Sequence, residues 1–200
     1  MTSSWHQPVK LTGPTLMLSP LRLPDAPELL AALGPPEVAA EVLENMSYGP
    51  PADVAATRRI IAAALADPDR LAYTQRITGN GELVGTTSFY EINPEARSIA
   101  IGHTWVAKAH WRTRVNTESK LILLTRAFEG LGAERVVWHT DVRNTRSQEA
   151  IERLGATREG VLRHHRIRRD GSWRDTVQYS MLSADWPAAK SRLTAAILRS

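Results

Sequence analysis

Residues 104–118 read TWVAKAHWRTRVNTE, and the fold turns on how this stretch is parsed. Trp105 and Val106 end an apolar strand, a short basic loop carries Lys108, Arg112 and Arg114, and a helix begins near Val115. The first N–H groups of a helix lack intrahelical partners and lie at the positive end of its dipole, so such a turn can hold an anion. A diphosphate is the ligand it suits best. On these residues alone the turn is either that anion site or a plain helix start with surface arginines.

Outward from the turn, the pattern becomes a fold. The helix is predicted over 115–131, with Leu121, Leu124, Phe128 and Leu131 on one face at spacings of three and four, and Gly132 as its stop. A strand at 98–106 before it and another at 135–140 after it then form a crossover unit, which requires parallel strands. Upstream, strands at 71–78 and 83–91 flank Gly79-Asn80-Gly81, a hairpin signal, and Asn93-Pro94 turns the chain into the strand at 98–106. Before these come a strand at 15–21, a helix at 25–33 and, after a short segment, a helix capped by Asp53 that runs to Ala66. That helix is predicted to turn Ile60, Ile61, Ala64 and Leu65 inward. Downstream, a helix over 144–154 ends at Gly155, strands at 159–168 and 173–182 flank Asp170-Gly171, and a last helix follows Asp185-Trp186-Pro187. The predicted class is α/β (α+β): one mixed, mostly antiparallel sheet with helices on its faces, splaying where strand direction changes. It is not a doubly wound nucleotide fold.

Composition narrows the chemistry. Two hundred residues suit one domain, with its core at about 15–186. The absence of cysteine excludes disulfides, thiolate zinc sites and a cysteine nucleophile. The histidines have no paired ligand spacing, so no metal is expected. No run approaches the ~18 apolar residues of a spanning helix, and residues 1–14 lack the apolar core of a signal segment, so the expectation is a soluble, cytoplasmic protein without membrane contact. Net charge is +4, but between Arg153 and Arg174 seven arginines face only Glu159 and Asp170. Such a patch is either a solvated edge hairpin or a face for nucleic acid, an anionic cofactor or an acidic substrate.

Several motifs in order give the chain a family likeness. They are Trp111-Arg-Thr-Arg-Val-Asn-Thr-Glu118, Phe128-Glu-x-Leu-Gly132, Arg135-Val136, Asp141-x-x-Asn144-x-x-Ser147 and Arg153-Leu-Gly155. Glu159-Gly160-x-Leu162-Arg163, then Asp170-Gly171 through Asp175 and Tyr179, extend them. Together they resemble the Gcn5-related N-acetyltransferase (GNAT) superfamily, in its ribosomal-protein alanine acetyltransferase (RimJ/RimL-type) branch. The resemblance implies acetyl transfer from acetyl-CoA to a primary amine, a peptide N-terminus or a small amine, by direct attack on the thioester. It also implies a cofactor-binding set. Pantetheine would pair with the strand at Trp105 and Val106. Trp111 belongs to that set, the backbone N–H groups of Arg112, Thr113, Arg114, Val115, Asn116 and Thr117 would hold the pyrophosphate, and Asn144 and Ser147 would lie beside the thioester and pantetheine arm. The branch includes dimers, so a homodimer is a further expectation.

The likeness has departures. The family's pyrophosphate turn carries glycines where this chain has Arg112 and Arg114; arginine either compensates through its phosphate-matching fork or fills the site, and retained binding is the favoured reading. The family's helix tyrosine, an acid for the leaving thiolate, is replaced near Ile151, which leaves Ser147 as proton relay or sulfur hydrogen-bond donor. The family's base glutamate falls near Ala100, so His103 on the same strand is the candidate base, with Glu82, Glu91 and Asp175 as further candidates. A second reading, from another class, is a catalytically weakened binding module of the same fold that uses the basic hairpin on RNA or an acidic partner. No RNA-binding motif is present, so nucleic acid is not the expected partner.

Overall fold

The computed structural model describes residues 4–199. Eight strands form one sheet: β1 (Leu11–Thr12), β2 (Leu16–Pro20), β3 (Arg70–Ile77), β4 (Leu83–Asn93), β5 (Ser98–Val106), β6 (Arg135–Asp141), β7 (Thr157–Ile167) and β8 (Trp173–Leu182). Their order is β1-β2-β3-β4-β5-β6-β8-β7. Each neighbouring pair is antiparallel except β5–β6, which is parallel as its helical crossover demands. The helices are α1 (Ala26–Leu33), α2 (Pro36–Val42), α3 (Val54–Ala66), α4 (Val115–Thr125), α5 (Thr145–Arg153) and α6 (Trp186–Leu198). Among the described residues no helix is long and apolar enough to cross a membrane.

Both faces of the sheet are covered, because adjacent strand residues point to opposite sides. Tyr73, Phe89, Ile99, Ile101 and Val136 pack with Leu123 and Leu124 of α4, Ile151 of α5 and Trp186 and Leu193 of α6. On the other face Ala72 and Trp105 pack with Leu29 and Leu33 of α1 and Ile61 and Ala64 of α3. Glu118, 0% exposed in the first turn of α4, ties that helix to the start of β2.

The sheet opens at one place. β5 and β6 are paired only at Ser98–Arg135, Ile99–Val136 and Ala100–Val137. Past Ala100 the register of β5 against β4 shifts, since Ser88 faces Gly102 while Thr86 faces Trp105. This bulge places His103 at φ 50 and bends β5 away from β6. The buried Gln75 amide spans its far side, donating to the carbonyls of Thr86 (2.9 Å) and Trp105 (3.1 Å).

Some elements differ from expectation. α4 ends at Thr125 and continues to Gly130 as a π-helical turn, with the Leu131 N–H reaching the Arg126 carbonyl at 2.9 Å. The wider turn keeps Phe128 stacked on Trp186, their ring centroids 5.5 Å apart. Leu124 and Phe128 are buried as expected, together with Ile122, Leu123 and Ala127, while Leu121 and Leu131 lie at the margin. In α3, Thr57, Ile61 and Ala64 face inward, whereas Leu65 is 48% exposed. β1 and α2 are too short to leave a periodic signal.

Candidate functional site

The gap between β5 and β6 is a cleft of about 700 Å³. Helix α4 supplies one wall as a stripe of Asn116, Thr117 and Lys120, spaced so that they share a face, and Thr113 of the preceding turn extends it. Ile101–Val106 of β5 and Trp138–Asp141 of β6 line its floor, and Asn144, Ser147 and Ile151 close the side of α5 (residues 101–106, 138–141, 144–151). Of the residues singled out in sequence, His103, Trp105, Val106, Trp111, Arg112, Thr113, Asn116, Thr117, Asn144 and Ser147 all meet here. Arg114 and Val115 do not bring their side chains in. Arg114 is exposed, and Val115 is 5% exposed within the core, so each offers only its backbone. Glu82, Glu91 and Asp175 are not among the lining residues.

The turn before α4 keeps a glycine-like backbone without glycine, for Arg112 lies at φ 62. It is braced on both sides. The Trp111 indole N–H donates to the Val106 carbonyl at 2.7 Å, and the Thr113 hydroxyl donates to the His110 carbonyl at 2.7 Å. Helix α3 is capped by Asp53, which accepts from the Ala56 N–H (2.6 Å), and α5 by Asn144, which accepts from the Ser147 N–H (2.9 Å). The N-cap residue of α4, Arg114, makes no side-chain cap; the Thr113 hydroxyl accepts from the Val115 N–H at 3.4 Å, and among the described residues the N–H groups of Asn116 and Thr117 are left for solvent or ligand at the cleft mouth. Arg146 of α5 bridges that mouth, its guanidinium 4.3 Å from the centre of the Trp111 ring.

Deeper in, the polar groups sort into two sides. The buried Lys120 ammonium donates to Thr104 Oγ1 at 2.8 Å, and Thr104 and Thr87 share a hydroxyl hydrogen bond of 2.8 Å. Burial pushes the Lys120 pKa down to about 7. The sequence reading missed this lysine, although its place three and four residues beyond Thr117 and Asn116 puts it on the same helix face. Across the sheet, His103 stands edge-on to Tyr90, with centroids 5.1 Å apart. Burial, with nearby Arg70 adding to it, pushes His103 down to about 4, so its ring is neutral at pH 7. Tyr90 shares a 3.1 Å hydrogen bond with His139 Nδ1, and burial raises its own pKa. Asn144 spends its side-chain oxygen on the α5 cap, and among the described residues the Ser147 hydroxyl has no hydrogen-bond partner.

The arginine-rich hairpin is largely engaged with the protein itself. Arg168 grips Asp141, Arg166 approaches Glu91 at 3.6 Å, and Arg169 donates to the Glu44 carbonyl at 3.1 Å.

Comparison with known proteins agrees with this fold. The family model for the acetyltransferase (GNAT) domain matches residues 15–157. The Bacillus subtilis protein named "Putative ribosomal N-acetyltransferase YdaF" is 32% identical over 111 residues, which cover 56% of this chain and 60% of that relative's length. The crystal structure of a GCN5-related N-acetyltransferase from Brucella melitensis superposes with a TM-score of 0.89 at 27% identity, covering 94% of this chain and 85% of that one. Mycobacterium smegmatis RimJ, solved in complex with CoA-disulfide, shares the fold with a TM-score of 0.79 at 23% identity, covering 96% of each chain.

Proposed function

The chain belongs to the GNAT acetyltransferase family, and from that premise we propose that it transfers an acetyl group from acetyl-CoA to a primary amine. One observation carries the reading: β5 and β6 part after Ala100 and Val137, and the gap opens beside the start of α4, which the side chain of its N-cap residue Arg114 leaves open. An extended thiol ester with a diphosphate at its far end fits a cleft of that shape.

In this reading the backbone N–H groups of residues 112–117 hold the pyrophosphate, with the guanidinium of Arg112, and of Arg146 across the mouth, adding charge. Arg114 contributes its N–H. The pantetheine arm runs along Trp105 and Val106, whose carbonyls are already taken by Gln75 and Trp111. Asn144 keeps its side-chain N–H₂ for the donor after its oxygen has capped α5. When bound, acetyl-CoA supplies a thioester carbonyl that a neutral amine can attack. Ser147 hydrogen-bonds the departing sulfur and relays to it the proton that the amine nitrogen sheds as the C–N bond forms and the C–S bond breaks, so the hydroxyl ends as it began. His103, neutral because it is desolvated, accepts an N–H of the arriving amine and orients it; a ring with a pKa of about 4 is a weak base, and its task is positioning more than proton storage.

The identity to a relative named for ribosomal N-acetylation supports a protein N-terminal amine as acceptor, with small amines as the competing class. The setting is the cytoplasm, where acetyl-CoA is available. The test is thermal stabilisation: a ligand at ~100 times its Kd adds about 2.7 kcal/mol. Stabilisation by acetyl-CoA together with thiol release that requires an added amine is the expected result. No shift at millimolar acetyl-CoA defeats the reading.

A further inference from the structure

Beyond the β5–β6 gap, the cleft has a far wall made by β6, β7 and β8, and cationic charge is in excess there. Arg166 and Arg174 face each other in the β7–β8 register, and Thr176, two residues along β8, faces Asp141 of β6. Arg166 and Arg174 line the cleft beside Tyr90, His139 and Asp141. Asp141 is already satisfied. Arg168 grips its two oxygens at 2.6 and 2.8 Å, and the Arg143 N–H adds a third bond at 2.9 Å.

Arg174 has no such partner. Its Nε comes no closer than 4.0 Å to Asp141, and that buried atom has no hydrogen-bond partner among the described residues. The side chain is 20% exposed, so the guanidinium has lost much of its water without gaining an equivalent bond. Burying a charge in that state is costly unless something completes it. Arg166 is little better placed, since Glu91, 3.6 Å away, is shared with His139 at 3.6 Å. Three guanidiniums thus serve two carboxylates, and the least satisfied one faces the cavity. This end of the cleft lies on the α1–α3 side of the sheet. Asn45, Met46 and Ser47 line it there, and the Arg169 bond to the Glu44 carbonyl joins the two flanking loops.

We propose that Arg174, seconded by Arg166, binds a carboxylate on the acceptor, so that the preferred substrate is a primary amine bearing a carboxylate. The inference rests on the acetyltransferase reading and names the acceptor within it. An acceptor carboxylate entering from this side completes the Arg174 guanidinium with paired N–H donors and directs the amine toward His103 and the parted strands. The carboxylate belongs either to a free amino acid or to an acidic residue near a peptide N-terminus.

The experiment compares kcat/KM for two matched pairs: serine against serinamide, and an N-terminal Ser-Asp peptide against its Ser-Asn counterpart. The carboxylate member of at least one pair is used roughly tenfold to a hundredfold better, the range of a charge-assisted hydrogen bond, and the responding pair identifies the source. Arg174→Gln brings that ratio close to one, chiefly through KM, with acetyl-CoA affinity unchanged, and Arg174→Lys regains part of it. Arg166→Gln reads the same preference from the second guanidinium should Arg174→Gln fold poorly. Equal use of both members of both pairs, or a preference that survives both glutamine variants, overturns the proposal. Failure to acetylate any acceptor while acetyl-CoA binds tells against the enzyme reading itself.

Discussion

Glu118 and Thr15 are joined across 103 positions of sequence by two hydrogen bonds, from the Thr15 N–H to Oε1 at 2.7 Å and from the Thr15 hydroxyl to Oε2 at 2.6 Å. A third bond, from the Leu16 N–H at 2.9 Å, uses Oε1 again. The helix that begins at the cleft mouth is therefore fastened to the far side of the sheet, and Glu118 holds the protein together without touching the donor. Glu118→Ala strands two backbone donors in a buried place and is expected to cost about 3 kcal/mol, with Glu118→Gln costing less. Denaturant melts check this. A loss under ~1 kcal/mol for the alanine variant would show that water replaces the carboxylate.

Lys120 gives a pH signature. Its folded pKa of about 7 lies below the ordinary lysine value of 10.5, so between those two values the unfolded chain holds a proton that the folded chain lacks. Lowering pH through that window favours unfolding; the penalty is complete below about 7 and absent above 10.5. Stability is thus expected to rise from pH ~7 to pH ~9.5 as Lys120 deprotonates in the unfolded chain, and Lys120→Met to flatten the rise while adding roughly 2 kcal/mol at neutral pH. Melts of both proteins at the two pH values decide it. An unchanged slope in the variant removes Lys120 as the cause.

What could be read in the sequence followed from local signals. Asp53 and Asn144 at two helix starts, Gly132 and Gly155 at helix ends, and the two hairpin turns each act within a few residues, so those boundaries emerge from the chain alone. The parallel step between β5 and β6 followed from a helix having to cross between them. The bulge at His103, by contrast, is bridged by Gln75, a partner 30 residues from Trp105. The role of Glu118 was hidden for the same reason, because no spacing rule links it to Thr15. The arginines between Arg153 and Arg174 read as one patch, yet pairing divides them: Asp141 holds Arg168 closely and leaves Arg174 for the cleft. The neutral state of His103 depends on burial, which a strand pattern does not fix.

Arg112 tests whether the side chain or the backbone matters at the pyrophosphate turn. A non-glycine residue at φ 62 costs on the order of 1–2 kcal/mol, while glycine there also loosens the unfolded chain. Arg112→Gly is accordingly expected to raise stability by about 0.5–1 kcal/mol. If the guanidinium pairs with phosphate, the same change weakens acetyl-CoA binding and lowers its sensitivity to salt. Melting curves and titrations at two salt concentrations separate these effects. Unaltered affinity at both concentrations means that the backbone N–H groups bind the diphosphate unaided.

Ser147 offers the cleanest separation of chemistry from structure. Its backbone N–H serves the α5 cap and survives substitution, while its hydroxyl has no partner among the described residues to lose. Ser147→Ala should therefore leave stability within about 0.5 kcal/mol of the parent and leave the acetyl-CoA Kd alone. A hydroxyl that donates to the departing sulfur acts in the transition state more than in the bound ground state, so its loss falls on kcat, by about tenfold to a hundredfold. Steady-state kinetics with a saturating donor, alongside acetyl-CoA titration, distinguish three cases. A drop in kcat alone supports the leaving-group role; a matching loss of donor affinity makes Ser147 a binding residue; unchanged turnover takes it out of the mechanism and returns the thiolate to solvent for its proton.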